Sequence, residues 1–157
     1  MIERDYILRL IKQVVEAVAM ILRLSQSGQY GAALEVVRQT IALVLGPDHA
    51  LLERMDPASV VNFVGKFELD RVRLYAVLLA EEGAVHELRG DAARAHLCRR
   101  RALELYAAGS LAGARLDEVD RERIGLLLTK VDLDAIDSRY REELERLVGP
   151  TPADRPS

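Results

Sequence analysis

Apolar residues recur three or four positions apart along most of the chain, which is the spacing of one face of an α-helix. One clear run starts at Tyr30 and carries polar residues, such as Glu35 and Arg38, on its opposite side. Its apolar positions are Tyr30, Ala33, Leu34, Val37, Ile41 and Val44. No segment alternates with period two, as a half-buried strand would. The pattern predicts an all-α protein of about seven helices in antiparallel hairpins.

Glycines, prolines and capping residues set the predicted helix boundaries. Asp56 can accept a hydrogen bond from the first helical turn, and Pro57 follows at the position where proline costs nothing. Predicted helices cover 3–26, 30–45, 57–65, 70–89, 92–109, 117–131 and 134–148, with a weaker element over 49–55 and a loop over 109–115. We expect residues 1–149 to form one helical domain and the proline-containing tail 150–157 to be disordered.

The first predicted helix is apolar around most of its circumference. Its most apolar stretch runs from Val14 to Leu24 and is interrupted by Glu16 and Arg23, whereas a helix that spans a bilayer needs about 20 apolar residues. A membrane span is therefore not expected. We expect this helix to be either the central helix of the domain or part of a subunit interface.

Composition and charge narrow the range of partners. The chain has 157 residues, which suits a single domain of about 100–200 residues. Its 22 basic and 25 acidic residues give a formal charge of -3, so a whole-chain attraction to nucleic acid or anionic lipid is missing. The single cysteine, Cys98, cannot form an internal disulfide, and no leader-like segment begins the chain. We expect a reduced, cytoplasmic protein.

Small residues recur in a pattern that suits helical hairpins. The stretch 79–105, LAEEGAVHELRGDAARAHLCRRRALEL, has Gly83 at a close helix contact, Gly90 at a turn, and Ala95 and Ala102 on the second helix. It resembles a tetratricopeptide repeat, a 34-residue helix–turn–helix unit. The stretch 28–41, GQYGAALEVVRQTI, resembles it again, with Gly28 at the turn. Because these turn glycines are 62 residues apart, an irregular arrangement is expected and not a continuous array.

The resemblance implies a function in protein–protein interaction. The opening RDYILRLIKQ, together with LLAEEG and ALEL, also resembles a group of short, uncharacterised bacterial proteins with no assigned activity. By comparison with tetratricopeptide hairpins, the positions that face the ligand groove are Val15, Val18, Ala19 and Leu22 in the first hairpin, and Val77, Ala80, Glu81 and Ala84 in the second. Such a largely apolar groove must be covered, either by the C-terminal helices or by a second copy of the chain, and we favour a homodimer.

One histidine pair and the cysteine are the candidates for chemistry. Glu82 and His86 are four residues apart and share a helix face, as metal ligands would, but His96 and Cys98 point roughly 200° apart on theirs. We therefore expect a surface ion pair at Glu82 and His86, a buried structural thiol at Cys98, and neither a metal nor a cofactor. A small-molecule-binding or weakly catalytic domain that uses Cys98 and His86 or the Arg99–Arg101 cluster is the alternative function.

An arginine run is the candidate for contact with an anion or an acidic partner. Arg94, Arg100 and Arg101 are the residues we single out. Three consecutive helical residues span about 200°, so the run from Arg99 to Arg101 cannot form one flat patch. No aromatic residue lies within it to stack on a base, and nucleic-acid binding is the third alternative. The leading prediction is a non-enzymatic interaction or scaffold module.

Overall fold

The computed structural model describes residues 2–149, with side chains from Arg4 onward. Within that range the chain forms eight α-helices, one of them only four residues long, and no strand, which confirms the predicted all-α fold of about seven helices. The helices are α1 Ile2–Gln26, α2 Tyr30–Leu45, α3 His49–Leu52, α4 Pro57–Val64, α5 Leu69–Leu88, α6 Ala92–Leu111, α7 Glu118–Leu128 and α8 Ser138–Val148. The predicted tail 150–157 lies outside the described residues.

Local capping explains where several helices begin. The Asp56 carboxylate accepts a hydrogen bond from the Ser59 backbone N–H at 2.9 Å, and Asp91 accepts one from the Arg94 N–H at 3.1 Å. Each bond satisfies an N–H group that the helix itself cannot pair. Between α5 and α6, Gly90 adopts a φ of 87°, a left-handed conformation that glycine reaches without strain. These predicted boundaries are confirmed.

The central helix of the domain is α5. Seven consecutive positions of α5, from Leu74 to Ala80, are buried, because α1, α2, α4 and α6 all pack against it. The prediction that α1 could be the central helix is wrong. Leu10, Val14 and Ile21 bury one side of α1, but Leu8, Val15, Met20 and Leu22 remain exposed on it.

Helices α5 and α6 form a tight antiparallel hairpin. A Cβ atom added at Gly83 of α5 would lie 3.2 Å from the carbonyl oxygen of Ala95 and 3.4 Å from the Cβ of Cys98. A Cβ atom added at Gly109 of α6 would lie 3.5 Å from Cγ1 of Val72, near the start of α5. The absence of a side chain at Gly83 lets the two backbones approach closely, whereas the Gly109 distance is an ordinary van der Waals contact.

Several predicted boundaries and one apolar position differ in the structure, and α7 ends at Leu128 and not at residue 131. The predicted loop over 109–115 begins late, because Gly109 packs inside the α5–α6 contact and α6 continues to Leu111. Helix α8 starts at Ser138 and not at Asp134, since a short 3-10 turn, Leu133–Ala135, precedes it. Val119 is an apolar residue of the predicted helix 117–131, but it is exposed in α7. No described helix has the length and apolar character that crossing a bilayer requires.

Candidate functional site

A groove runs along α5 between α1 and α7. Two adjoining depressions of about 360 and 530 Å³ share Val119 and Arg123 of α7, and together we call them the α5 groove. The first lies between α1 and α7, with Val15 and Val18 on its α1 side and Val77 at its base. The second continues along α5 past Ala80, Glu81 and Ala84 towards Leu126.

Six of the eight predicted interface residues line the α5 groove. They are Val15, Val18, Val77, Ala80, Glu81 and Ala84. Val77 and Ala80 are buried and form the floor, whereas Val15 is 64% exposed on one wall. Ala19 and Leu22 lie further along α1 and are exposed outside the groove.

Helix α7 forms a wall of the groove but does not fill it. The expected alternatives were that C-terminal helices or a second copy would cover this face. Helix α7 does fold back beside it, yet Leu126 stays 66% exposed and Val119 is exposed as well. An apolar surface therefore remains open on both sides of the groove.

An ion pair joins α5 to α7 in the groove, in addition to the Glu87–Lys130 and Arg73–Asp120 pairs among the lining residues. The Glu81 carboxylate lies 4.0 Å from a guanidinium nitrogen of Arg123, which joins α5 to α7. Burial raises the pKa of Glu81, and the positive charge of Arg123 opposes this shift. The pair carries no net charge when both groups are ionised, so it does not by itself attract a ligand of either sign.

A second candidate site lies at the other face of α5, where three side chains with different donor atoms meet. Glu82 and His86 lie on α5, and Cys98 reaches them from α6. One carboxylate oxygen, one imidazole nitrogen and the sulfur all lie within 4.8 Å of one another. The Cys98 thiol donates a hydrogen bond to Oε2 of Glu82 at 2.8 Å. The close approach of the helices at Gly83 is what brings Cys98 to this position.

The burial of His86 and of Cys98 differs from what the sequence predicted. His86 is only 7% exposed, and its Nδ1 atom is enclosed without a hydrogen-bond partner among the described residues, so the predicted surface ion pair with Glu82 is wrong. Cys98 is partly buried and not fully in the core. Burial, followed by the nearby Glu82 carboxylate, raises the pKa of the Cys98 thiol well above its usual value. The thiol is therefore protonated at neutral pH and is a poor nucleophile.

The arginine run points in several directions, each with its own partner. Arg99 is buried and its guanidinium lies 2.6 Å from the Glu87 carboxylate, while Arg100 lies 3.5 Å from Glu104. Arg101 donates hydrogen bonds to the carbonyl oxygens of Met55 and Leu52 and to the Tyr75 hydroxyl. The structure therefore uses Arg101 inside the protein and not at a surface anion site.

Arg94 and Arg100 keep more access to solvent. Arg94 is exposed and lies 3.4 Å from Asp91, the capping residue of its own helix, and Arg100 is partly exposed. Neither arginine lines the α5 groove. Contact of these two residues with an anion or an acidic partner stays a prediction.

Comparison of the chain with protein-family models, characterised proteins and solved structures finds no match.

Proposed function

We propose that this chain is a protein-interaction module that binds a second copy of itself through α1 and the adjoining α5 groove. The single observation that carries the proposal is the row of exposed apolar residues on α1, a helix that buries its other side in the domain core. Leu8, Val15 and Leu22 are all exposed, although each is a large apolar residue. At about 25 cal/mol per Å² of apolar area, covering such a row contributes several kcal/mol to association.

The spacing of the row suits a helix–helix contact. Leu8, Val15 and Leu22 are seven residues apart, with half-buried Ile11 and Val18 between them. A seven-residue apolar repeat keeps one seam facing a partner helix when two helices pack at a crossing angle of about 20°. Ala19, one turn after Val15, is exposed and small enough to allow a close approach.

The symmetry of the row favours a second copy as the partner. Leu8 and Leu22 lie equally far on either side of Val15 along α1. A two-fold axis near Val15 would pair Leu8 of one copy with Leu22 of the other and bring the two Val15 side chains together. This is the self-complementarity that an isologous dimer requires. The exposed Val119 and Leu126 of α7 would lie next to the same contact.

A binding role also agrees with the state of the chemical groups. The alternative, a weakly catalytic domain, requires a nucleophile or a free cationic site. The raised pKa of the Cys98 thiol opposes nucleophilic attack. Arg99 pairs with Glu87, and Arg101 donates hydrogen bonds to backbone carbonyl groups. The tetratricopeptide-like character of the hairpins stays a prediction that is compatible with this role.

Light scattering on the full chain tests the proposal. We expect a mass of twice 17.5 kDa at micromolar concentration. Val15→Asp should return the mass to that of one chain, because it places a charge at the centre of the contact. Leu97→Asp is the matched control, since Leu97 is also an exposed large apolar residue but lies on α6 outside the groove. It should leave the dimer intact.

Circular dichroism would verify that both variants remain helical. A single-chain mass for the native protein at about 100 µM, well above the micromolar range of ordinary specific contacts, would contradict self-association. An equal loss of mass in Leu97→Asp and Val15→Asp would place the contact elsewhere.

A further inference from the structure

Three metal-ligating atoms of different chemistry converge between α5 and α6, outside the groove described above. Glu82 contributes a carboxylate oxygen, His86 an imidazole nitrogen and Cys98 a sulfur, all within 4.8 Å of one another. We propose that Glu82, His86 and Cys98 form a binding site for Zn²⁺. This site is independent of the proposed dimer contact, because it uses none of the groove residues.

The distances fit a tetrahedral zinc ion. Zinc binds oxygen and nitrogen at about 2.0–2.2 Å and sulfur at about 2.3 Å, so its ligand atoms lie about 3.4–3.6 Å apart. The observed separations range from 2.8 Å, between Sγ of Cys98 and Oε2 of Glu82, to at most 4.8 Å. Small side-chain rotations would bring all three atoms to the required spacing. Three protein ligands would leave the fourth position to water.

The environment of His86 is the second observation that points to a ligand. Its side chain is more than nine-tenths buried, and Nδ1 has no hydrogen-bond partner among the residues that the structure describes. A buried polar atom without a partner costs free energy that a bound ion would recover.

Charge balance also suits a divalent cation. The Cys98 thiol donates its proton to Glu82 in their hydrogen bond. On binding, Zn²⁺ would replace that proton, which leaves to solvent, and the carboxylate and thiolate would together neutralise the ion. Arg89, Arg94 and Arg99 also act on these groups and oppose a cation, whereas Asp91 favours one. Glu82 and Cys98 would bind the ion directly, whereas none of these surrounding charges is among its ligands.

A mixed set of oxygen, nitrogen and sulfur donors favours zinc over magnesium or calcium. Magnesium and calcium bind almost entirely through oxygen atoms, while thiolate and imidazole both suit zinc. The helical Glu82–His86 pair fixes two ligands on one rigid element, and Cys98 adds the third from the neighbouring helix. The donor set therefore favours zinc over magnesium and calcium.

Titration of the metal-free full chain with Zn²⁺, followed by calorimetry, tests the proposal. We expect saturable binding of one ion per chain. Cys98→Ser, which can keep the hydrogen bond to Glu82, and His86→Gln should each weaken Zn²⁺ binding by more than about tenfold, the lower end of the loss caused by removing even an outer-shell partner. Co²⁺ bound to the native chain should show a thiolate charge-transfer band that Cys98→Ser lacks.

A matched control exists in the same chain. His49 and Glu53 are also four residues apart on one helical turn, with Nδ1 and Oε2 at 3.1 Å, but no cysteine is part of their contact. His49→Gln should leave the affinity for Zn²⁺ unchanged. Absence of saturable binding, a Co²⁺ complex without the thiolate band, or an equal loss of affinity in His49→Gln and His86→Gln would overturn the proposal. The Co²⁺ spectrum of the native chain decides the question even where a variant fails to fold.

Discussion

The Nε atom of Arg101 donates a hydrogen bond to the hydroxyl oxygen of Tyr75 at 3.2 Å, and the guanidinium carbon lies 5.5 Å from the centroid of the same ring. The other nitrogens of Arg101 donate to the carbonyl oxygens of Met55 and Leu52 at 2.8 and 3.2 Å. Arg101 thus connects α5 and α6 to the end of α3. Arg71 acts similarly on the carbonyl oxygens of Val44 and Leu45 at the end of α2. A forked guanidinium can pair two carbonyl groups at once, which a lysine cannot do in the same geometry.

Replacement of Arg101 should destabilise the domain. Arg101→Lys cannot satisfy both carbonyl groups and the tyrosine together, so we expect the free energy of unfolding to fall by about 2–4 kcal/mol. Urea unfolding measures this change. Arg94→Lys is the control and should stay within about 0.5 kcal/mol of the native chain, because Arg94 is exposed. Equal effects of the two substitutions would contradict a structural role for Arg101.

Gly83 allows α5 and α6 to approach, so an added methyl group should be costly there. In Gly83→Ala the new Cβ would lie 3.0 Å from Cγ of Arg99 and 3.2 Å from the carbonyl oxygen of Ala95. The backbone carbonyl cannot move without shifting α6, and we expect a loss of about 1–3 kcal/mol in the free energy of unfolding.

Gly31 of α2 provides the matched comparison for Gly83. An added Cβ would contact nothing within 4 Å at this position, and the residue has no positive φ. Alanine should therefore be neutral or stabilising by up to about 1 kcal/mol, because it lowers the entropy of the unfolded chain. Thermal or urea unfolding of both variants gives the comparison, and a stabilising Gly83→Ala would contradict close packing at that glycine.

Helix boundaries could be predicted where their causes lie within a few residues. The carboxylate of Asp56 reaches the N–H of Ser59, and Gly90 supplies a left-handed turn directly after α5. Both interactions depend only on neighbouring residues, so the sequence alone specifies them. The late end of α6 could not be predicted in the same way, because the burial of Gly109 beside Val72 depends on the pairing of α5 and α6 and not on neighbouring residues.

Features that depend on how helices pair could be predicted only in part. The resemblance to tetratricopeptide hairpins predicted that Val77 and Ala80 face a groove. The position of α7 beside that groove could not be predicted from the same resemblance. The meeting of Cys98 with Glu82, 16 residues away, depends on the register between α5 and α6. The sequence argument compared the directions of His96 and Cys98 on a single helix, so it could not reveal a contact between two helices. Gly83, opposite Ala95, was the available signal, because small residues mark where the helices come closest.

Glu143 should make the stability of the domain depend on pH in the acidic range. This buried carboxylate of α8 accepts a hydrogen bond from the Ser110 hydroxyl at 2.9 Å and pairs with Arg146. The bond from Arg146 and then that from Ser110 lower the pKa of Glu143, against the opposing effect of burial. A lowered pKa means that the unfolded chain binds more protons as pH falls, so the stabilisation is present above the unfolded pKa of about 4.3 and is lost below it.

Glu143→Gln should remove this contribution. We expect the variant to lose about 1–2 kcal/mol near neutral pH and to differ less from the native chain at acidic pH, once the pH has fallen through the lowered pKa of Glu143. Urea unfolding at the two pH values measures the difference. Glu145→Gln on the exposed side of α8 should change the profile little. If the difference in free energy of unfolding between the native chain and Glu143→Gln stays constant from neutral to acidic pH, Glu143 is not the source of the pH dependence.

Asp120 anchors α7, the wall of the α5 groove, to the two central helices. It is 1% exposed, and its carboxylate accepts hydrogen bonds from Arg73 of α5 and from the Tyr106 hydroxyl of α6, both at 3.3 Å. The same carboxylate accepts a bond from the Asp117 N–H at 3.1 Å, which completes the cap of α7. Asp120→Ala would leave the half-buried Arg73 guanidinium without this partner, so we expect a loss of about 3 kcal/mol in the free energy of unfolding.

A double-mutant cycle separates the ion pair from the other contacts of Asp120. Arg73→Ala alone should also be strongly destabilising, because it leaves the Asp120 carboxylate buried without its cation. The double variant should cost less than the sum of the two single variants, with a coupling of about 1–3 kcal/mol. Tyr106→Phe should cost only about 1 kcal/mol, since Asp120 keeps its charged partner. Strictly additive losses in urea unfolding would show that Arg73 and Asp120 contribute independently, and the attachment of α7 would then rest on its cap and its apolar residues alone.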